Sequence, residues 1–398
     1  MKLLIVDPNL SLSSPSMKGV VRSLPRLRAA GWDIECWCWT ADADLEGVQI
    51  TKLPRFLDLF LIRYYVFTAM AAWLAWWRYR VCGHPRPHVT YTIAWYLPNC
   101  DICHVHFSPW DWQARQRVLG QSNLRDWVER CSTTVSVAWA SLFLKWTSAK
   151  RMICVSRSVA ADVLTAAPEA IVSVLPNSYD PQRFHPGVRS QARDEMRRAL
   201  GYDFNETVFI FVSTGHYRRK GFFLAVQAIA ALRRKNPSAK LLVAGGKPQA
   251  LQRLQRQLSS SVPDYATWIH FTGMVPDVER YFAAADAFLF PSYSEAFALV
   301  EVEASACGLP LFLTPHHGSE MILRDGINGR LLPFDPLVIA DILEEFCEGR
   351  WQPQSTALTG ALDGQAYAEE FLKELESVSS RPSAGACALT SPLSAPAL

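Results

Sequence analysis

Three glutamates stand in a short apolar stretch, PSYSEAFALVEVEASACGLP, residues 291–310. They are Glu295, Glu301 and Glu303. A carboxylate is costly to bury unless it is paired or used. The run AFLFPS predicts a strand, followed by a loop that holds Glu295 and a helix that begins near Ala298 or Leu299. In open parallel sheets ligands bind beyond the carboxyl ends of the strands, and Glu295 falls at such an end. The helix start aims its free N–H groups at the same place, which suits a diphosphate. Glu303, eight residues beyond Glu295 and about a turn into the helix, reaches the same crevice from the side. Carboxylates in these places are suited to accept hydrogen bonds from sugar hydroxyls. A nucleotide sugar meets both demands, with its sugar at one end and its ribose at the other. Glu301 falls at another helical angle and reads as a solvated helix residue.

Other groups have chemistry to offer. STGHYRRKGF, residues 213–222, gathers Arg218, Arg219 and Lys220. Alone it reads equally well as a solvated helix start. DICHVHF, residues 101–107, reads as a strand, and its alternation turns His104 and His106 the same way, with His104 deeper and suited to the core. Cys100-Asp-Ile-Cys103 is the one C-x-x-C, and no second pair completes a four-ligand metal site. The ten cysteines are scattered and read as reduced, mostly buried thiols of a cytoplasmic protein. Asp42-Ala-Asp44 is the strongest carboxylate pair for a metal, but it lies in a loop and reads as solvated. No metal or other cofactor is expected to be required.

The elements that must position these groups follow an alternation of strand and helix, which predicts α/β architecture with parallel sheets covered on both faces. A length of 398 residues suits two domains. The first is expected over 1–186, ending in the turn-rich PNSYDPQRFHP, and the second over 187–355. An amphipathic helix at about 365–378 is expected to join the first domain, and the Pro-rich tail from 379 to 398 to be disordered. A helix over about 16–30 holds Pro25, which should kink or restart it. Another long helical region is predicted over about 110–148. The N-terminus is a strand and a turn, without the length or cleavage site of a signal peptide. A net charge of +3 gives no reason to expect nucleic acid as a partner.

The Glu-x(7)-Glu spacing followed by Cys-Gly-Leu-Pro closely resembles the retaining nucleotide-sugar glycosyltransferases of family 4, which have the two-domain B-type fold. GSEMILRDGINGRLLP (318–333), STGHYRRKGF, VAGG (243–246) and FTGMVPD (271–277) follow the family's order in the second half. DICHVHF, ICVSRSVAADV and LPNSYDPQRFHP resemble its segments in the first half. The likeness covers about residues 1–375 and is tighter in the second half.

The resemblance implies two Rossmann-like domains facing each other across a cleft, and a retaining transfer of a hexose-type sugar from a UDP- or GDP-sugar. It implies that Glu295 contacts donor-sugar hydroxyls, that Phe297, Ala298 and Leu299 offer backbone N–H groups, and that Glu303 holds the ribose. Lys220 would neutralise the leaving diphosphate, and His106 would face the donor sugar near the reacting carbon. Gly245, Gly273 and Met274 belong to the expected donor side, and Lys18, Gly19 and His106 to the acceptor side. The chain departs from the family in two places. Gly215 stands where an arginine is usual, so Arg218 or Arg219 would take its place. SPSMKGV has only Gly19 where the family shows a Gly-Gly turn.

Twelve of fourteen tryptophans fall in the first 150 residues, and Trp73, Trp76 and Trp77 cluster with Arg63, Arg78 and Arg80. The run from Tyr64 to Trp77 is too short to span a bilayer. It reads either as a buried helix or as one that also touches an anionic membrane surface. The expected acceptor is a lipid-linked or cell-surface glycan, in lipopolysaccharide, polysaccharide or glycolipid synthesis, and the expected location is the cytoplasm, with a peripheral station on the inner face of the membrane. Two other readings stay open: an epimerase or sugar phosphorylase on the same fold, and a non-catalytic binding subunit.

Overall fold

The computed structural model describes residues 1–42, 45–55, 63–119, 124–358 and 360–379. Asp44 and the Pro-rich tail beyond 379 lie outside the described residues, as do the expectations attached to them.

The first sheet has seven parallel strands: β1 (Lys2–Val6), β2 (Asp33–Cys38), β3 (Val48–Lys52), β4 (Val89–Ile93), β5 (Ile102–Val105), β6 (Arg151–Cys154) and β7 (Val172–Val174). Their spatial order is β3-β2-β1-β4-β5-β6-β7, so the winding reverses between β1 and β4. All pairings are parallel. Sequence reasoning missed β4, VTYTI, although every one of its residues is buried. Its threonines break the apolar run, but the Thr92 hydroxyl is satisfied inside the sheet by donating to the Val6 carbonyl at 3.0 Å.

The helices of this half are α1 (Lys18–Ala29), α2 (Arg63–Trp76), α3 (Pro109–Leu119), α4 (Leu124–Trp146) and α5 (Arg157–Ala166). Two expectations need correction. Pro25 lies inside α1 and the helix runs through it without a restart. The long helical region divides into α3 and α4. The Ser108 hydroxyl starts α3 by accepting the Asp111 N–H at 3.2 Å, with Pro109 in the first helical position, where no N–H is missed. Ser156 caps α5 in the same way through the Val159 N–H at 3.3 Å.

The second sheet has six parallel strands: β8 (Thr207–Val212), β9 (Ala239–Ala244), β10 (Ile269–Gly273), β11 (Ala287–Phe290), β12 (Leu311–Leu313) and β13 (Gly329–Leu331). Their order is β10-β9-β8-β11-β12-β13, with the reversal between β8 and β11. Its helices include α6 (Gly187–Leu200), α7 (Phe222–Leu232), α8 (Pro248–Ser261), α9 (Val278–Ala284), α10 (Leu299–Ala306), α11 (Ser319–Ile322) and α12 (Pro336–Cys347). The core here is aromatic: Phe209, Phe211, Phe288, Phe290 and Phe312 are fully buried between the layers.

The final helix α13 (Gly364–Ser379) returns to the first half. Tyr367 and Phe371 enter its core, Phe371 lies edge-on to Tyr91 at 5.2 Å, and Glu369 takes a two-pronged hydrogen bond from Arg26 at 2.5 and 3.0 Å. The two chain crossings pair with each other, Ser178–Tyr179 running parallel to Leu362–Asp363.

Candidate active site

The carboxyl ends of β8 and β11 lie side by side at the reversal of the second sheet, and their loops are sewn together. The Tyr293 N–H donates to the Arg219 carbonyl at 2.8 Å. Gly221 has φ +73°, and a Cβ there would sit 1.8 Å from the Pro291 carbonyl oxygen. Only glycine permits this approach. The stitching brings Lys220 Nζ to 3.4 Å from Glu295 Oε1 and 5.0 Å from the centre of the Phe290 ring. Burial pushes the Glu295 carboxyl up, but Lys220, Arg219 and His316 outweigh it and hold the group below its ordinary value. Glu295 is therefore ionised at neutral pH, with Lys220 as its partner.

Glu301 is not solvated, contrary to its helical angle as read from sequence. Its side chain is fully buried and meets His316 Nε2 at 2.6 Å. Burial drives the Glu301 pKa up. Burial opposes charge on His316, but Glu301 and Glu295 prevail and raise its pKa above that of a free imidazole. This pair stands behind Glu295. No expectation included His316, because its partner lies fifteen residues back and on another element.

The α10 N-terminus carries no side-chain cap, its N-cap being Ala298 in extended conformation. Phe297 and Ala298 are buried. Gly318, at φ +90°, packs so closely that a Cβ would meet Phe297 Cα at 2.8 Å. One turn on, Glu303 is buried, and that burial raises its pKa to about 7 despite Lys18 and Arg183. Lys18, in the first turn of α1, reaches from the other domain to 4.0 Å. Burial lowers the Lys18 pKa while Glu303 opposes the change. Gly19 beside it has a packing reason of its own, since a Cβ would strike the Tyr367 ring at 2.8 Å.

From the first domain, His106 follows the end of β5. Burial lowers its pKa to about 3, so the ring is neutral at physiological pH. Its Nε2 is buried without a hydrogen-bond partner. His104 is deeper and bonds the Tyr91 hydroxyl through Nδ1 at 2.7 Å. The start of α3 fastens this end to the second domain. Asp111 accepts the Ser294 hydroxyl at 2.5 Å, and His317 stands between Asp111 and Asp162 at 3.8 and 3.7 Å. Arg115 donates to the Pro315 carbonyl at 3.2 Å. Sequence reasoning named none of Asp111, Asp162 and His317, because their meeting depends on how the two domains face each other.

The two arginines separate. Arg218 leaves the second domain, pairing with Asp126 and donating to the Leu119 carbonyl at 2.9 Å. Arg219 is the one whose charge acts on Glu295, and its Nε is buried without a hydrogen-bond partner. Gly245 and Gly273 lie at the ends of β9 and β10, where the Gly245 N–H donates to the Gly273 carbonyl at 2.8 Å. Gly245 has φ +96° and packs on the Ser213 carbonyl. Met274 is exposed beside them. A cleft of about 1040 Å³ opens between the domains, lined by Trp112, Asp126 and Arg130 on one side and by Tyr217, Arg219 and Arg253 on the other. Among the described residues, no three His, Cys, Asp or Glu side chains are grouped to hold a metal ion.

Asp7 also escaped notice. It follows β1 at the reversal of the first sheet, accepts the Asn9 N–H at 2.8 Å, and burial raises its pKa to about 7. The nine described cysteines are free thiols, and six of them are buried.

Residues 206–348 match the family model of glycosyl transferases group 1. D-inositol 3-phosphate glycosyltransferase of Corynebacterium kroppenstedtii is 33% identical over 195 residues, covering 46% of this chain and 42% of the relative. That of Actinosynnema mirum is 35% identical over 198 residues, covering 46% and 45%. The chain thus spans less than half the length of these relatives. Among solved structures, WaaG, a glycosyltransferase involved in lipopolysaccharide biosynthesis, superposes with TM-score 0.66 at 16% identity over 96% of both chains. Anabaena HepE in complex with UDP and glucose gives TM-score 0.66 at 18% identity over 95% of this chain and all of that one. The reversal of each sheet and the facing domains are therefore those of a glycosyltransferase B-type fold, within which residues 206–348 match the glycosyl transferases group 1 model.

Proposed function

We propose that the protein is a retaining glycosyltransferase that moves a hexose-type sugar from a UDP- or GDP-sugar to a glycan or lipid-linked acceptor. The observation that carries this reading is the Lys220–Glu295 pair beside the uncapped start of α10, with Glu303 one turn beyond. Breaking the glycosyl–phosphate bond leaves a nucleoside diphosphate, and fixed cations stabilise the charge that develops there. Lys220, Arg219 and the α10 N–H groups supply positive potential on that side. Ionised Glu295 accepts from sugar hydroxyls, and Glu303 from the ribose.

Neutral His106 offers its buried Nε2 to the sugar or the incoming hydroxyl. Its depressed pKa suits positioning rather than proton uptake, because a ring that resists protonation is a weak base. In retaining transfer the acceptor hydroxyl attacks from the face the diphosphate leaves. Glu295 and Glu303 act on hydroxyls in this reading, so the paired-carboxylate scheme of glycosidases is not invoked.

The test is a thermal-shift screen of the purified protein against UDP-, GDP-, ADP- and CMP-sugars, repeated on Glu303→Ala. Binding to the folded state raises the melting temperature by mass action. A response to one nucleotide class that the variant loses supports the donor site, and the anomeric configuration of the product, read by NMR, then decides retention. No response to any class sinks the reading.

A further inference from the structure

We propose that the outer face of α2 and the π-helical turn that continues it, Trp77–Val81, docks onto a lipid bilayer bearing anionic headgroups. The α2 helix is apolar nearly all round. Such a helix is ordinarily buried on every side. Here only one side is covered: Phe67 and Ala71 enter the core, with Leu74, Ala75 and Tyr79 packed against it. The other side presents Trp73, Trp76 and Trp77, which are 61%, 55% and 44% exposed. These three sit at positions i, i+3 and i+4, so they share one helix face. Trp73 and Trp77 stack with ring centroids 6.1 Å apart, which fixes them as a flat apolar plate. Val81 is exposed at the next turn.

Tyr65 of α2 meets Trp139 of α4 edge-on at 5.7 Å, and α4 exposes Trp127 and Trp146. The five exposed tryptophans of the described residues lie on α2, on its π-helical continuation and on α4. The two tryptophans of the second half are not among them. Isolated surface apolar residues need no explanation, but a contiguous aromatic patch marks an interaction site.

Charge selects the occupant. No Asp or Glu falls between Asp58 and Asp101, whereas Arg63, Arg78, Arg80 and Arg86 do. Arg78 is turned inward to Glu35. Arg80, His84 and Arg86 lie on the exposed stretch that continues from the tryptophans. Indole rings settle at the headgroup level of a bilayer, and arginines beside them meet anionic headgroups. No helix among the described residues is long and apolar enough to cross a membrane, so this contact lies on the surface. The inference goes beyond the donor-site reading and does not depend on it.

The test is co-sedimentation of the full chain with vesicles of phosphatidylcholine alone and of phosphatidylcholine mixed with phosphatidylglycerol. The wild type is expected to bind the mixed vesicles, and Trp73→Ala/Trp76→Ala/Trp77→Ala to lose at least about tenfold in affinity. Arg80→Glu/Arg86→Glu is expected to lose roughly fivefold per arginine on mixed vesicles, with no loss on neutral ones. Melting temperature of each variant verifies the fold, since every substituted side chain is exposed. Absence of binding to mixed vesicles overturns the proposal, as does binding that the tryptophan variant retains. Sedimentation velocity adds a third outcome: a dimer that the tryptophan variant dissolves would assign the face to a second copy and overturn the bilayer.

Discussion

Glu301 and His316 meet at 2.6 Å with neither side chain reaching solvent, directly behind the carboxylate that pairs with Lys220. His316 also lies edge-on, at 6.3 Å, to Phe290, the last residue of the strand that leads into the Glu295 loop. Removing one partner leaves the other in a low-dielectric site with nothing to bond. Glu301→Ala is therefore expected to destabilise the protein by roughly 1–3 kcal/mol, the cost of an unsatisfied buried polar group. Thermal melting checks this, with Glu301→Gln as the comparison that keeps an acceptor for the ring. An unchanged melting temperature for Glu301→Ala would show that the pair contributes nothing net.

Lys220 and Glu295 predict an asymmetry between two variants. In the proposed donor site Lys220→Ala removes the cation beside the leaving group and is expected to lower kcat/KM by about 10²–10³, the usual cost of one electrostatic stabiliser. Lys220→Arg keeps the charge but not the fit, and should recover only part of the loss. Initial rates with the donor found in the thermal screen decide it. Equal activity of Lys220→Ala and wild type would remove Lys220 from the site.

Asp7 and Glu303 carry the pH dependence. Burial raises both carboxyls to about 7 in the folded protein. The folded state therefore holds these protons more tightly than the unfolded chain does. The contribution of these two groups to stability falls as pH rises from their unfolded values, near 4, to about 7, and is flat above that. Asp7→Asn keeps an acceptor for the Asn9 N–H and has no proton to lose. It is expected to melt higher than wild type at pH 8 and equally at pH 4. The size at pH 8 is up to about 4 kcal/mol, from about three pH units at 1.36 kcal/mol each. A variant that gains nothing at pH 8 over pH 4 would contradict the raised Asp7 value.

Much of this was legible in the chain. The strands beside glycine or proline in the second half, the Glu295 loop and the start of α10 all follow from local pattern, because a fully buried parallel strand is a short apolar run. What escaped was non-local. The β4 strand hides its threonine hydroxyl in a neighbour's carbonyl, which composition cannot display. Glu301 lies on the inner face of a helix so buried that angle alone misassigned it, and only His316 on another segment explains the charge. Arg218 and Arg219 are adjacent in sequence yet serve different domains, and the distinction needed Asp126 and the Leu119 carbonyl in place.

Ligand binding should titrate with Glu303. A ribose hydroxyl donates better to a carboxylate than to a carboxylic acid. With the free-protein pKa near 7, a nucleotide sugar bound as proposed favours the ionised form and expels a proton. Affinity is expected to rise between pH 6 and pH 8, by at most about tenfold per unit below the pKa. Lys18, Arg183 and Arg22 favour the charged form and Glu279 opposes it, so these set where the rise begins. Calorimetry in two buffers of different ionisation enthalpy counts the proton released. Glu303→Gln should bind more weakly and without this pH dependence; a variant that keeps the slope would assign the titration to another group.

Gly221 is the hinge point of the whole arrangement, since it lets the Lys220 loop lie against the Pro291 carbonyl before α7 begins. Its φ of +73° disfavours any side chain, and a Cβ would overlap the carbonyl at 1.8 Å. Gly221→Ala must push one loop from the other, at a cost of roughly 1–3 kcal/mol in backbone strain alone. The displacement separates Lys220 from Glu295 even where the domain stays folded. The expected outcome is a protein with native circular dichroism at 20 °C, a lowered melting temperature and no thermal response to the donor nucleotide. Gly349→Ala, also at positive φ but with open space around its Cβ, is the control that carries backbone strain without the clash. If both variants keep the donor response equally, the contact of Gly221 with Pro291 does not set the Lys220–Glu295 geometry.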